Sequence, residues 1–379
     1  MRCCVDSRPA ALPPLKSMTA QSKIPVILVG CGAVSQLFYL PSLRALEAAG
    51  LFKVHALVDP SAQAREPLAT AFPKARQLDA LDACDAPPDS LAVIATPPRF
   101  HAQQTLEAVA RGWHVLCEKP MASTTEECEQ MIAAAREAGR ILAVGLYKRF
   151  FPSSAYLKSL FTHGQLGALH SFTIAEGGPF KWPAATPSFF NKAQTPGGVL
   201  LDIGVHVLDL LLWWLGEPEK FVYADDAMGG IETNSRIQLH YASGAHGLVH
   251  LSRDWATANE YRFVFERGVV SWKTNDANGL TVQLADTAAA LRAQLVTRIG
   301  GQLDSLALTP LATNPQSFIA QLQNLAAAIH GESPVHVPGE EGIRSLRLIA
   351  ACYRERTLVD QPWFTPAETT RARQLAVQP

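Results

Sequence analysis

What this sequence of 379 residues lacks is informative, because each absence excludes a class of protein. It has no C-x-x-C pair: the seven cysteines (Cys3, Cys4, Cys31, Cys84, Cys117, Cys128, Cys352) are odd in number and scattered. That excludes a disulfide framework and a structural zinc ribbon, and favours reduced thiols. It has no surplus of basic charge, with Lys+Arg 33 against Asp+Glu 34. Nothing therefore draws it to nucleic acid or an anionic membrane, and a small polar partner fits better. The first 22 residues contain no apolar run of the kind a signal peptide needs. They are expected to form a flexible extension of a cytoplasmic protein. Nor is there a membrane span. The greasiest stretch, LLDIGVHVLDLLLWWLGEP (200–218), is shorter than the ~20 residues a span requires. It carries Asp202, His206 and Asp209 and ends in a Gly216-Glu217-Pro218 helix stop.

What is present is first an alternation. Apolar, β-branched segments at 24–30, 53–59, 75–78, 90–98, 114–120 and 141–147 alternate with helical patterns at 33–49, 61–72, 99–112 and 123–140. Ser123, with Glu126 three residues on, reads as a capping box for the last helix. Strands and helices in this order predict a doubly wound parallel sheet, a Rossmann-type α/β domain over 23–147. From about residue 148 the pattern changes. A helix near 152–162 and the greasy helix are joined by strand-like segments at 169–177, 220–227, 235–242, 246–253, 261–268 and 269–274. With so little helix between the later ones, an α+β domain on a mainly antiparallel sheet is expected over 148–340. Helical patterns at about 315–330 and 341–355 follow, the tail 341–379 returning to the first domain.

The cofactor signal lies in VILVGCGAVSQ, which places Gly30-x-Gly32-x-x-Ser35 between the first strand and its helix. In dinucleotide folds the first glycine makes the tight turn and the second admits the pyrophosphate, which sits on the helix N-terminus, here Ala33 and Val34. Ser35 replaces the usual third glycine. Asp59 ends the second strand, where a carboxylate either accepts the adenosine ribose hydroxyls or merely caps the next helix. On the first reading NAD is favoured over NADP, because a 2′-phosphate would meet like charge. Ligands of such sheets bind beyond the strands' carboxyl ends, so Thr96, Pro97 and His101, and Glu118 and Lys119, should line the cofactor cleft.

Chemistry-bearing residues are fewer. Lys119 either pairs with Glu118 or handles a proton at the cleft. Asp202, His206 and Asp209 fall within about a 60° arc of an otherwise apolar helix. Asp202 is then placed to hold His206, which would offer its other nitrogen to a substrate hydroxyl. The plainer alternative is an N-cap and a satisfied core histidine. Gly197-Gly198 just ahead suggests a flexible approach to that helix.

The stretches VGCGAVS, ALVDP, IATPPRFHAQQTLEAVARGWHVLCEKPMA, GLYKRFFP and GGVLLDIGVHVLDLLLWWLGEP, in this order from about 24 to 218, resemble the glucose–fructose oxidoreductase / inositol dehydrogenase / MocA family of NAD(P)-dependent oxidoreductases. The resemblance implies Lys119, Asp202 and His206 as the catalytic triplet and Arg149 as a nicotinamide or substrate contact. It also implies a cis peptide before Pro120, and a homodimer or homotetramer packed through the open face of the C-terminal sheet. Trp182 or Phe189 in the aromatic- and Pro-rich segment 176–191 is placed either to stack on a sugar face or, equally, to serve as interface or core. The expected activity is hydride transfer with a sugar, cyclitol or related polyol, without a metal. An NAD-retaining glycosidase and a non-enzymatic dinucleotide sensor are the competing readings, and the intact triplet weighs against a sensor.

Overall fold

The structure, a computed structural model, describes residues 23–183, 190–287, 290–294, 297–299, 302–304, 316–359, 362 and 364–376. Strands β1 (Ile24–Val29), β2 (Phe52–Val58), β3 (Arg76–Leu78), β4 (Leu91–Ile94), β5 (His114–Cys117) and β6 (Leu142–Val144) alternate with helices α1 (Leu40–Ala48), α2 (Ala62–Ala71), α3 (His101–Ala110) and α4 (Thr125–Glu137). All six strands run parallel in the order β3-β2-β1-β4-β5-β6, as expected of a doubly wound sheet. Helices cover both faces, so β4 and β5 are buried at every position, which is why they read as continuous apolar runs. The capping box of α4 lies one residue later than expected, on Thr124 and Glu127. In STTEE both registers satisfy the pattern, and the backbone turn decides between them.

The second half begins with α5 (Pro152–His163), β7 (Leu169–Gly177) and α6 (Val205–Leu215). It continues through β8 (Lys220–Asp225), β9 (Asn234–His240), β10 (His246–Ser252), β11 (Glu260–Phe265), β12 (Gly268–Lys273), β13 (Gly279–Leu284) and β14 (Ala290–Gln294). After the hairpin β15 (Thr297–Ile299) and β16 (Gln302–Asp304) come α7 (Gln316–Ile329), α8 (Gly339–Arg354), β17 (Thr357–Leu358) and α9 (Pro366–Ala376). The nine-stranded sheet has the order β14-β13-β12-β11-β7-β10-β9-β8-β17. It is antiparallel except at β7/β10 and β8/β17. It extends past the last expected strand by β13 and β14, whose alternation is too polar to stand out in the sequence. One face packs on α5 and α6 through Phe172, Ile174, Ile237, Val249, Tyr261, Phe263 and Trp272, all essentially inaccessible.

The return to the first domain comes earlier than expected. Phe318, Leu322, Leu325 and Ala326 of α7 share a core with Tyr39, Leu43, Phe52 and Leu57, so the chain re-enters the first domain at 316 rather than 341. Helix α8 follows onto α4 and β6, where Val144 N–H donates to the Val337 carbonyl (3.0 Å). Among the described residues, no helix is long and apolar enough to cross a membrane.

Candidate active site

At the cofactor end, Gly30 has φ +90°, and a Cβ there would meet the Ala95 carbonyl carbon at 2.7 Å, so only glycine fits. Gly32 has open space where a Cβ would project, at the start of the helix that begins with Ala33 and Val34. Ser35 is fully buried and its hydroxyl donates to the Gly30 carbonyl (2.5 Å), so the departure from a third glycine is accommodated by a hydrogen bond. Asp59 accepts from Cys31 N–H (2.9 Å) through Oδ2 and from Ser61 N–H (2.8 Å) through Oδ1. The side-chain N-cap of α2 is Ser61 rather than Asp59. A carboxylate thus sits against the glycine loop, and the loop, helix start and Asp59 together fit a dinucleotide.

The other expected cleft residues divide. Thr96 donates to Gln104 (2.6 Å), and Pro97 opens a short 3-10 turn. His101 is fully buried, its two nitrogens on the carbonyls of Pro120 (3.0 Å) and Thr96 (2.7 Å). It staples the β4 and β5 loops together from behind rather than lining the cleft. Glu118 is also buried and accepts from the Tyr39 hydroxyl (2.7 Å) and the Lys119 amide (3.1 Å). Burial pushes its carboxyl up, against the pull of those two partners. The Lys119–Pro120 peptide is cis.

Lys119 and Asp202, 83 positions apart, meet. Lys119 Nζ donates to Asp202 Oδ1 (2.9 Å) and to the Asp202 carbonyl (3.0 Å). The second oxygen of Asp202 engages the Arg253 guanidinium. The expected hold of Asp202 on His206 is therefore not made: two cations take the carboxylate, and His206 Nδ1 is buried with no hydrogen-bond partner among the described residues. The helix explains part of this. Residues 200–204 form a π-helical turn before α6, which widens the spacing a regular helix would give Asp202 and His206. An aromatic ladder positions the imidazole instead. Tyr147 meets His206 edge-on (centroids 5.1 Å), Phe318 stacks on Tyr147 (5.1 Å), Phe38 on Phe318 (4.7 Å) and Trp182 on Phe38 (6.3 Å). Trp182 thus ends a stack of protein rings. Phe189 lies outside the described residues.

The approach to this helix is pinned, not flexible. A Cβ on Gly198 would collide with the Glu232 carbonyl, and Glu232 Oε1 accepts from Gly198 N–H (2.9 Å), Leu200 N–H (3.0 Å) and the Tyr353 hydroxyl (2.7 Å). The glycine permits close approach to that buried carboxylate.

Arg149 does not face the cleft. It is 2% exposed, bidentate on Asp209 (2.6–3.1 Å) and bonded to Glu341 (3.0 Å), tying α6 to α8. Its neighbour Lys148 turns to the site, buried against Glu176 (2.5 Å), which also accepts from the Tyr261 hydroxyl (2.8 Å). Sequence reading missed Lys148, Glu176 and Arg253. Glu176, near the end of β7, pairs in register with Leu251 of β10, two residues before Arg253, and that register appears only in the fold.

Two proton affinities are shifted in useful directions. Burial, then the charges of Lys119 and Lys148, hold His206 well below the usual imidazole range, so it is neutral. Lys119 is lowered to about 8, chiefly by burial and further by Arg253, against the upward pull of Glu118 and Glu176. Among the described residues no cluster of His, Cys, Asp and Glu is placed to hold a metal.

A doubly wound domain with a dinucleotide-shaped glycine loop, joined to an open-sheet domain, with Lys119 after β5 meeting Asp202 before α6 beside a neutral imidazole, defines a two-domain oxidoreductase. Residues 24–146 match the oxidoreductase family with an NAD-binding Rossmann fold, and residues 154–271 match the GFO/IDH/MocA C-terminal domain. The rhizopine catabolism protein MocA of Rhizobium meliloti is 31% identical over 233 residues, 60% of this chain and 70% of that protein. The chain belongs to the GFO/IDH/MocA family. D-glucoside 3-dehydrogenase of Escherichia coli K12 is 38% identical over 134 residues, 35% of this chain but only 37% of that enzyme. Among solved structures, levoglucosan dehydrogenase in complex with NADH and levoglucosan superposes with a TM-score of 0.76, with 20% identity and 88% and 97% of the two chains covered. The aldose–aldose oxidoreductase of Caulobacter crescentus, complexed with glycerol, gives 0.71 with 26% identity and 88% and 97% covered.

Proposed function

We propose that this protein transfers a hydride between a nicotinamide dinucleotide and a CH–OH or C=O carbon of a sugar, cyclitol or related polyol. The observation that carries this reading is the Lys119–Asp202 pair, assembled at the carboxyl end of β5 beside a neutral His206. Relatives named as sugar dehydrogenases, such as the D-glucoside 3-dehydrogenase, support the substrate class.

When bound, the nicotinamide supplies or accepts the hydride. The residues manage the accompanying proton. Lys119, with its affinity near 8, is matched to proton transfer around neutral pH: its ammonium gives a proton to the carbonyl oxygen in reduction, and its amine takes it back in oxidation. His206, which burial and then neighbouring charges keep from holding a proton, hydrogen-bonds the same oxygen and fixes its position. Asp202 anchors Lys119. The base therefore passes from His206, the expectation from sequence, to Lys119, because burial and then the charges of Lys119 and Lys148 keep the imidazole neutral, while the Asp202 carboxylate is shared between Lys119 and Arg253.

NAD is the proposed cofactor in preference to NADP, on the position of the Asp59 carboxylate against the glycine loop. The test is an NADH- and NADPH-absorbance screen of sugars, cyclitols and aldonates. Turnover of at least one of these with NAD supports the reading; binding of NAD without turnover of any, and unaffected by K119M, sinks it.

A further inference from the structure

We propose that Arg253 is a positioning residue of the hydride-transfer site: by taking the Oδ2 side of Asp202 it divides that carboxylate between two cations and leaves Lys119 able to release its proton. This rests on the reading of Lys119 as the proton carrier.

The geometry is specific. Arg253 follows β10 directly, and its backbone is fixed on both sides, its N–H donating to the Thr233 carbonyl (2.9 Å) and its carbonyl accepting from Phe180 N–H (3.0 Å). The guanidinium lies over the Phe180 ring (5.2 Å to the centroid) and reaches Asp202 from the side opposite Lys119. Lys119 holds only Oδ1 and the backbone carbonyl of Asp202.

A half-buried carboxylate that served Lys119 alone would stabilise the ammonium and hold the proton there. Shared with an arginine, it does so less. Of the two cations only lysine can yield a proton in this range, because the guanidinium keeps its own. The charged and titratable groups that face Lys119 are few: Glu118 on its own strand, Asp202 before α6, Glu176 at the end of β7 and Arg253 after β10, with His206 and Lys148 beyond. Arg253 is the cation among them that opposes the ammonium directly, and its backbone is tied to residue 180 of the segment leading from β7. The same segment carries Trp182, which stacks on Phe38 of the cofactor domain. Setting of the segment and setting of the proton affinity are thus mechanically linked.

The test needs no substrate. The full chain is pulsed with acetic anhydride across a pH series, and acetylation at Lys119 is followed by peptide mass spectrometry. The side chain is 20% exposed and so open to a small reagent. In the wild type the reactivity midpoint is expected at about 8. In R253Q it rises by on the order of one pH unit, whereas R253K, which keeps the charge, stays near the wild type. R253M serves as a second uncharged variant, so a folding defect in R253Q does not decide the matter. Identical midpoints in the wild type and the uncharged variants overturn the proposal. A wild-type midpoint near the ordinary lysine value overturns instead the reading of Lys119 as proton carrier, and the two failures are distinguishable.

Discussion

A lysine poised near pH 8 works in both directions of a hydride transfer, and this gives the residue-scale tests their sign. The reduction rate constant should fall as pH rises through about 8, because the ammonium is the proton donor, and the oxidation rate constant should rise through the same midpoint. Initial rates in both directions across pH 6–10 check this, with K119M expected to lose about 10²–10⁴-fold and both limbs. A K119M enzyme that kept a limb would assign it elsewhere. At the adenosine end, replacing Asp59 by Ser removes the carboxylate and should narrow the ratio of NAD to NADP efficiency by at least tenfold; an unchanged ratio would show that Asp59 does not discriminate. Lys119, Asp202 and Asp59 were legible because each sits at a strand end or helix start where the fold itself gathers ligands. Lys148 and Arg253 were not. In YKRF the two cations are adjacent, and only the 3-10 turn (Tyr147–Phe150) decides that Arg149 goes to Asp209 and Lys148 to Glu176. Arg253 looks like any polar residue closing a strand, and nothing local announces that Asp202 waits opposite.

At the scale of elements, α6 is buried all round, so its polar groups must find partners within the protein. Asp209 finds Arg149, and the pair locks α6 to α8 behind the site. Removing one partner strands the other: Asp209→Asn is expected to destabilise the fold by about 3–5 kcal/mol, read as a lowered denaturation midpoint. A loss under about 1 kcal/mol would mean that Glu341 alone satisfies Arg149. That Asp209 shares a polar stripe with Asp202 and His206 was recognisable from sequence, but its partner Arg149 was not. The π-helical turns at Ser35–Tyr39 and Leu200–Gly204 were not recognisable, because 3.6-residue periodicity is the assumption that makes a helix visible at all. Each lies where a polar group must reach its partner: Tyr39 to Glu118, and Asp202 to Lys119. The strands were legible wherever burial is total or strictly alternating, and β13, which is neither, was not.

For the molecule as a whole, the outer face of the nine-stranded sheet carries exposed apolar side chains. Val222, Gln238 and Leu248 stand in one register row across β8, β9 and β10, with Val222 56% and Leu248 36% exposed. We propose that a second copy of the chain covers this face, since apolar side chains aligned across strands gain from burial against their like. V222D/L248D should then sediment at a lower mass than the wild type while keeping its far-UV signature, and equal masses would place the contact elsewhere. The domain order was legible from the switch of alternation near residue 148, but the path of α7 was not, because an amphipathic helix does not say which apolar face it will meet. That path sets a timetable for synthesis. The core around Tyr39, Leu43 and Phe52 is completed by Phe318, Leu322 and Leu325, so the domain translated first cannot finish its core until α7, more than 250 positions on, has emerged from the ribosome. Until then that apolar surface has no native cover and stands open to non-native contacts.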